Sequence, residues 1–265
     1  MYVSLGMSQS DAVHIFHVVR RDGSELFLHP FTGDESTLTM LEQQPVEGLY
    51  GAEPEVSTLT GLRDDLYRIA ERSIRRWDAE ARFVPRFLLS AAVFVVAFLF
   101  FSLVVRDPLP VLDELLIAFG LAAALYTVLR RRGRLSEPVE RKRIAVQKQI
   151  DAIMFTESDV VSRFENQLHL HEAMDDPVRA LRDQREPAFR DEDLELIAEA
   201  AGYLAMRYRS LSVRRRGRHL LRSDHVNSER IRKWADSHGI DLRLFTFYLR
   251  LRRTVESAAA HSRSR

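Results

Sequence analysis

Phe87 to Val105 reads FLLSAAVFVVAFLFFSLVV, and Val111 to Leu129 reads VLDELLIAFGLAAALYTVL, with only the pentapeptide RDPLP between them. The first run holds nineteen uncharged residues, fourteen of them Leu, Val or Phe. At 1.5 Å per helical residue, that length covers most of a ~30 Å hydrocarbon layer. At roughly −0.3 to −0.6 kcal/mol each, such side chains favour insertion. The second run has the same length but carries Asp113 and Glu114 in its first turn. The fold class expected is a mainly α membrane protein. It has a two-span transmembrane helical hairpin, a small N-terminal head containing a β-hairpin, and a C-terminal cytoplasmic helical domain.

The flanks give the hairpin a direction. Arg68, Arg72, Arg75, Arg76, Arg82 and Arg86 precede the first span, and Arg130, Arg131, Arg132, Arg134, Arg141, Lys142 and Arg143 follow the second. The hinge has Arg106 alone, set against Asp107. Positive residues stay on the cytoplasmic side, so both termini are expected there and the hinge outside. The first twelve residues show neither the basic start nor the apolar run of a signal peptide, so the first span is expected to act as its own insertion signal. Arg-rich usage and the lack of a eukaryotic sorting motif suggest a bacterial inner membrane.

Charge is distributed unevenly along the 265 residues. Residues 1–60 hold nine acids against two arginines, whereas residues 203–265 hold sixteen Lys/Arg against five acids, and the whole chain is only +1. With no cysteine, there are no disulfides, thiolate metal sites or Cys nucleophiles. The boundaries expected are a β-containing head over 1–57, an amphipathic helix over 58–86, spans over 87–105 and 111–129 around an external hinge at 106–110, descending helices over 130–174, a linker over 175–190, and a basic helical domain over 191–265.

In the head, Asp22-Gly23 lies between two apolar runs and predicts a two-residue type I′ hairpin pairing Arg21 with Ser24 and Val18 with Phe27. That register sets Ile15, His17, Val19, Leu26 and Leu28 on one face. It sets His14, Phe16, Val18, Phe27 and His29 on the other. Ser36–Leu41 is a candidate additional strand, and the Pro- and Gly-bearing stretch 42–57 reads as a loop. Leu59, Leu62, Leu66, Ile69, Ser73 and Trp77 form a helical seam leading to a kink at Pro85. Val139, Arg143, Val146, Ile150 and Ile153 repeat such a seam, which fits either mutual packing of the two helices or a coiled-coil oligomer.

Thr156-Glu-Ser-Asp159 reads as a capping box ahead of a helix buried through Val160, Val161, Phe164 and Leu168. His171 and Asp175, four apart, suit either a polar helix end or a metal pair. From Asp191 a helix continues through Leu194, Ile197, Ala201, Leu204 and Tyr208 to Leu211. Ser228, Gly239 and Asp241 mark the caps of a helix-turn-helix-like pair.

No P-loop, GxGxxG, GxSxG or HExxH is present, so neither an enzyme nor a cofactor is expected. The function expected is a non-catalytic membrane anchor or scaffold for a cytoplasmic protein assembly, self-associating. Ala118 with Ala122, and Gly120 with Ala124, offer small-xxx-small helix-packing pairs. The basic cluster Arg214, Arg215, Arg216, Arg218 and Arg222 is expected to meet anionic lipid head groups or an acidic partner. Nucleic acid comes last, because Leu242–Leu251 offers few polar side chains to read bases. The layout of helix, span, acidic hinge, span and helix resembles that of calcium-uniporter-type channels. That resemblance implies an ion-conducting oligomer with Asp113 and Glu114 at its outer mouth. The W-D-x-M-E-P motif of that family is replaced here by Leu112-Asp113-Glu114-Leu115-Leu116.

Overall fold

A computed structural model describes residues 12–104, 112–131, 137–181, 189–222 and 227–263. In chain order the elements are β1 (Val13–Val19), β2 (Glu25–Leu28), α1 (Glu35–Gln43), β3 (Val46–Tyr50), α2 (Val56–Val104), α3 (Leu112–Arg131), α4 (Glu137–Asp151), β4 (Phe155–Glu157), α5 (Asp159–Glu172), α6 (Pro177–Ala180), α7 (Leu194–Arg207), α8 (Leu211–Arg222), α9 (Ser228–Ser237) and α10 (Leu242–Arg263). The protein is mostly helical with one small sheet. It divides into two compact units, one of Met1–Phe31, Gln43–Leu66 and Gln149–Arg265, the other of Thr32–Glu42 and Tyr67–Lys148.

In the first unit the sheet order is β2-β1-β3-β4, with β1 antiparallel to β2 and parallel to β3, and β3 parallel to β4. The hairpin forms, but one residue out of the register expected: Val18 faces Leu26 and His17 faces Phe27. The Gly23 amide donates to Arg20 O, the Arg20 amide donates to Ser24 O, and Gly23 has φ +81°. These bonds define a three-residue loop in which only Gly23 needs the left-handed region. A one-residue slip moves one strand's side chains to the opposite face. Phe16, Val18 and Leu28 therefore share the core face, while His17 packs against Phe27 with ring centroids 5.0 Å apart. Residues 42–57 are not all loop, since Val46–Tyr50 is an interior strand bonded on both sides.

Phe16, Val18 and Leu28 join Val161, Phe164 and Leu168 of α5, Ile197 and Leu204 of α7, and Phe245, Phe247 and Leu251 of α10 in one core. The head over 1–57 and the helices over 191–265, expected as separate domains, thus share a hydrophobic interior. Val178 of α6 and Leu181 are buried in it as well, so the segment expected as a linker over 175–190 begins as core; residues 182–188 lie outside the described residues. Thr156 and Glu157 belong to β4 rather than to a capping box, and Ser158 at the N-cap of α5 makes no side-chain cap bond.

The helix expected from Asp191 to Leu211 is divided. A 3-10 turn spans Asp191–Asp193, α7 stops at Arg207, and Tyr208 leaves helical geometry at φ −104°, ψ 30°. Leu211 then opens α8 as an exposed residue. Asn227, not Ser228, caps α9 by accepting from the Arg230 amide. Gly239 (φ +61°) ends α9, and Asp241 caps α10 through the Arg243 and Leu244 amides, as the sequence predicts.

In the second unit Ser36–Leu41 is helical, not a strand. Asp34 Oδ1 accepts from Ser36 Oγ at 2.6 Å and from the Thr37 amide at 3.2 Å, and Leu38 and Leu41 recur at helical spacing into the interior. These hydroxyl and amide donors hold the Asp34 carboxyl down at about 2. The helix expected to kink at Pro85 continues through it. Arg143 Nη2 of α4 reaches Glu71 Oε1 of α2 at 2.7 Å, and Lys142 Nζ lies 4.5 Å from the Trp77 ring centroid. An ion pair and a cation–π contact thus link α2 to α4.

Among the described residues one helix, over Val56–Leu103, is long and apolar enough to cross a membrane, and only 6 % of its most apolar window is buried. The second run yields a shorter apolar helix, Leu115–Leu129. The hinge at 106–110 lies outside the described residues.

Candidate functional site

One face of α5 grips the end of β1. Glu165, His169 and Glu172 are spaced four and three apart, which aligns them on one side of the helix. The Val19 amide donates to Glu165 Oε1 at 2.8 Å, and His169 Nε2 contacts Val19 O at 2.8 Å. Arg20 Nε donates to Glu172 Oε1 at 2.7 Å, and the Arg21 amide donates to Glu172 Oε2 at 3.0 Å. Arg20 Nη1 also pairs with Asp241 Oδ2 at 2.7 Å. One guanidinium thus joins the hairpin to the end of α5 and to the start of α10.

Gly51 makes room for the Glu165 carboxylate, since a Cβ there would come within 2.8 Å of Ser162 Cα and closer still to the carboxylate. Burial raises the Glu165 carboxyl above the usual carboxylate range, with the Val19 amide opposing. His17 is fully buried, with Nε2 3.0 Å from Glu25 Oε2 and Nδ1 3.2 Å from Ala52 O.

Beside this clamp lies a cleft of about 480 Å³, walled by Arg20, Ser24 and Glu25 of the hairpin and by Tyr208, Val213, His238 and Asp241. Most of its lining side chains are polar or charged, with Leu26, Val213, Ile240 and Leu244 as the apolar part, unlike the predominantly apolar lining of small-molecule sites. Its acids already serve structural bonds: Asp241 holds Arg20 and caps α10, and Glu25 holds His17. Elsewhere in the first unit, His14 Nδ1 lies 2.7 Å from Glu199 Oε2, and Tyr203 OH donates to Glu199 Oε1. The bond to Glu199 raises the His14 imidazole against the opposing effect of burial.

The other side of α5 carries His171. It is completely buried, its Nε2 lies 2.9 Å from Thr246 Oγ1, and its Nδ1 has no hydrogen-bond partner. It is turned into the core onto Thr246 while Asp175 is exposed, and no group of three or more potential ligands occurs among the described residues. The Thr246 hydroxyl has backbone carbonyls of Leu242 and Arg243 as acceptors, so His171 Nε2–H is the donor in the bond to it. Burial pushes the imidazole down to about 4, and the charges of Arg250 and Arg243 add to this.

An unfolded histidine, with a pKa near 6.5, therefore binds a proton that the native one refuses between pH 6.5 and 4. Stability from this group is complete above pH 6.5 and is lost as the pH falls toward 4. The expected loss is on the order of 3 kcal/mol. Chemical denaturation of wild type and His171→Leu at pH 7, 5.5 and 4 checks this. The acid-side slope should be shallower in the variant, and equal slopes reject the assignment.

The residues singled out from sequence fall in different places. Asp113 and Glu114 stand in the first turn of α3, and their side chains lie outside the described residues. Ala118 is fully buried and Ala122 half-buried, while Gly120 and Ala124 are exposed, so the two small-residue pairs occupy unlike environments. Of the basic cluster, Arg214, Arg215 and Arg218 are exposed on α8, Arg216 is half-buried with its guanidinium 5.4 Å from the Trp234 ring centroid, and the Arg222 side chain is outside the described residues.

The α5 clamp is the set that sequence reading missed. Its signal is in polar residues at four-and-three spacing alongside Val161, Phe164 and Leu168. Comparison with protein-family models, curated proteins and solved structures finds no match for the chain.

Proposed function

We propose that this chain is a two-pass protein of a bacterial inner membrane, with both termini cytoplasmic. It acts as a non-catalytic, self-associating anchor or scaffold that holds its folded first unit near the membrane for a cytoplasmic assembly. The observation that carries this reading is the outward-facing apolar surface of α2 and α3. Leu88, Val96 and Leu103 on α2, and Leu116 and Phe119 on α3, are each more than 60 % exposed. Burying a large apolar side chain is worth about 2 kcal/mol, and a patch of this size on a water-soluble monomer would be a severe liability. A hydrocarbon layer removes that cost. The arginines on both flanks, with a hinge that has one, supply the direction. Gly120 and Ala124, exposed on α3, leave a face on which another helix can pack closely.

Because the chain has no cysteine, single-Cys variants report topology cleanly. In spheroplasts, Leu109→Cys is expected to react with an impermeant maleimide, and Ser257→Cys only after lysis. The protein should also stay with membranes in alkaline carbonate. Val96→Arg places a charge within the first span, at about 3 kcal/mol on insertion scales, and should lower the integrated fraction severalfold. Release by carbonate, or equal labelling at both sites, rejects the membrane reading. The scaffold reading expects more than one copy per nanodisc and co-isolation of soluble proteins after cross-linking; single copies without partners reject it.

A further inference from the structure

We propose that α8 is an electrostatic docking strip for the anionic lipid head groups of the membrane into which the chain is inserted, a reading that rests on the membrane assignment above. The twelve residues of α8 contain five arginines and no acid. Elsewhere in the protein, local pairing of basic side chains is common: Arg75 with Glu71, Arg82 with Asp78, Lys233 with Glu229 and Arg252 with Glu256, each one helical turn apart. On α8, Arg214, Arg215 and Arg218 are exposed and make no ion pair among the described residues. Their mutual repulsion, screened in part by salt, is relieved further by an external polyanion.

The helix is fixed so that this face points away from the core. Val213, Gly217 and Leu220 are buried, and a Cβ on Gly217 would lie 3.1 Å from Leu249 Cδ2 and 3.3 Å from Phe245 Cζ of α10. Gly217, set within the arginine run, therefore lets α8 lie close on α10 and leaves Arg214 and Arg218, one turn apart, together on the outer surface. Arg216 is excluded from the strip by its position over Trp234. Leu211, 73 % exposed at the head of the same helix, supplies an apolar contact beside the charges.

The partner is a lipid surface rather than nucleic acid. The strip is one helical turn of phosphate-seeking charge with no accompanying base reader, because Phe245, Phe247, Tyr248 and Leu251 of neighbouring α10 are buried. An anionic leaflet contributes to each basic residue independently, so the three arginines together should favour the docked state roughly a hundredfold and each alone about fivefold.

The test uses the full chain with His219→Cys carrying a fluorophore, reconstituted in nanodiscs of phosphatidylcholine alone or mixed with phosphatidylglycerol, each with a head-group quencher. Strong quenching is expected only with phosphatidylglycerol. It should be lost in about 1 M salt, where the screening length falls to roughly 3 Å. It should also be lost in the triple variant Arg214→Gln, Arg215→Gln, Arg218→Gln, and be retained in the corresponding triple Lys variant. Unchanged unfolding midpoints confirm that these exposed substitutions leave the fold intact. A chain that inserts in both discs but is quenched equally, or whose reporter responds to added DNA and not to phosphatidylglycerol, overturns the docking strip alone. A chain that enters neither disc overturns the membrane reading and the strip with it.

Discussion

Phe247→Ala is expected to lower the stability of the first unit by about 4 kcal/mol, the largest loss from any single substitution considered. Phe247 is fully buried in the second turn of α10. Its ring meets Phe164 of α5 edge to face at 5.3 Å, and His171 at 5.6 Å. Truncation forfeits the transfer free energy of the ring and leaves a cavity that α5 and α10 cannot close without moving their other contacts. One wall of that cavity is His171, whose Nδ1 already lacks a partner, so a water entering there also changes the environment that keeps the imidazole neutral. In a chain of this size the loss corresponds to a fall of roughly 10 °C in Tm. Trp234, 6.1 Å from Phe245, reports on the same core, and a Trp77→Phe background removes the second fluorophore. Phe87→Ala, at an exposed position, should cost under about 1 kcal/mol in the same detergent. Equal effects at the two positions would refute α10 as the centre of the core.

That α10 occupies this position was legible in Leu242–Leu251, whose apolar width exceeds what one side of a surface helix needs. The seams of α2 and α4, and the caps at Gly239 and Asp241, were legible for the same reason: each depends on spacing and on residues adjacent in sequence. The failures came where distant partners decide. The hairpin sequence permits more than one loop length, and the register that won is the one that places Phe16 and Val18 against α5 and α7. Val46–Tyr50 holds a glycine and a glutamate and reads as loop in isolation. It becomes a strand because β1 and β4 bond to it from both sides. In Ser36–Leu41 a local signal was overlooked, since Asp34 caps the helix and leucines three apart argue against strand alternation. Tyr208 interrupts an apolar period that alone predicts an unbroken helix to Leu211. The α5 clamp could be seen as a polar stripe, but its partner, the end of β1, lies some 150 positions away in sequence.

The clamp itself gives the second large effect, because Glu172→Ala leaves a mostly buried charge without its main partner. Arg20 is 17 % exposed and Glu172 3 %, so little water is available to replace the carboxylate. Removing one member of such a pair costs about 3 kcal/mol, most of it the penalty on the charge left behind. The Arg21 amide loses its acceptor in the same step, while Asp241 still holds Nη1 and keeps the cost below that of a wholly orphaned ion. The double variant Arg20→Met, Glu172→Leu removes the charge together with its partner. It should recover at least half of the single-variant loss, because an apolar pair of similar volume avoids the desolvation of two ions. Denaturant midpoints of wild type, Arg20→Met, Glu172→Leu and the double variant give the coupling energy directly. Additive losses would mean that Arg20 and Glu172 stabilise the fold independently, and that the end of β1 is held by the Val19 bonds to Glu165 and His169 alone. A large favourable coupling places the guanidinium at the junction of β1, α5 and α10. The wall of the 480 Å³ cleft would then loosen with it, since Arg20 and Asp241 both line that cleft. Faster amide exchange at Leu26 and Leu244 in Glu172→Ala, with exchange at Ala200 unchanged, is the local signature expected.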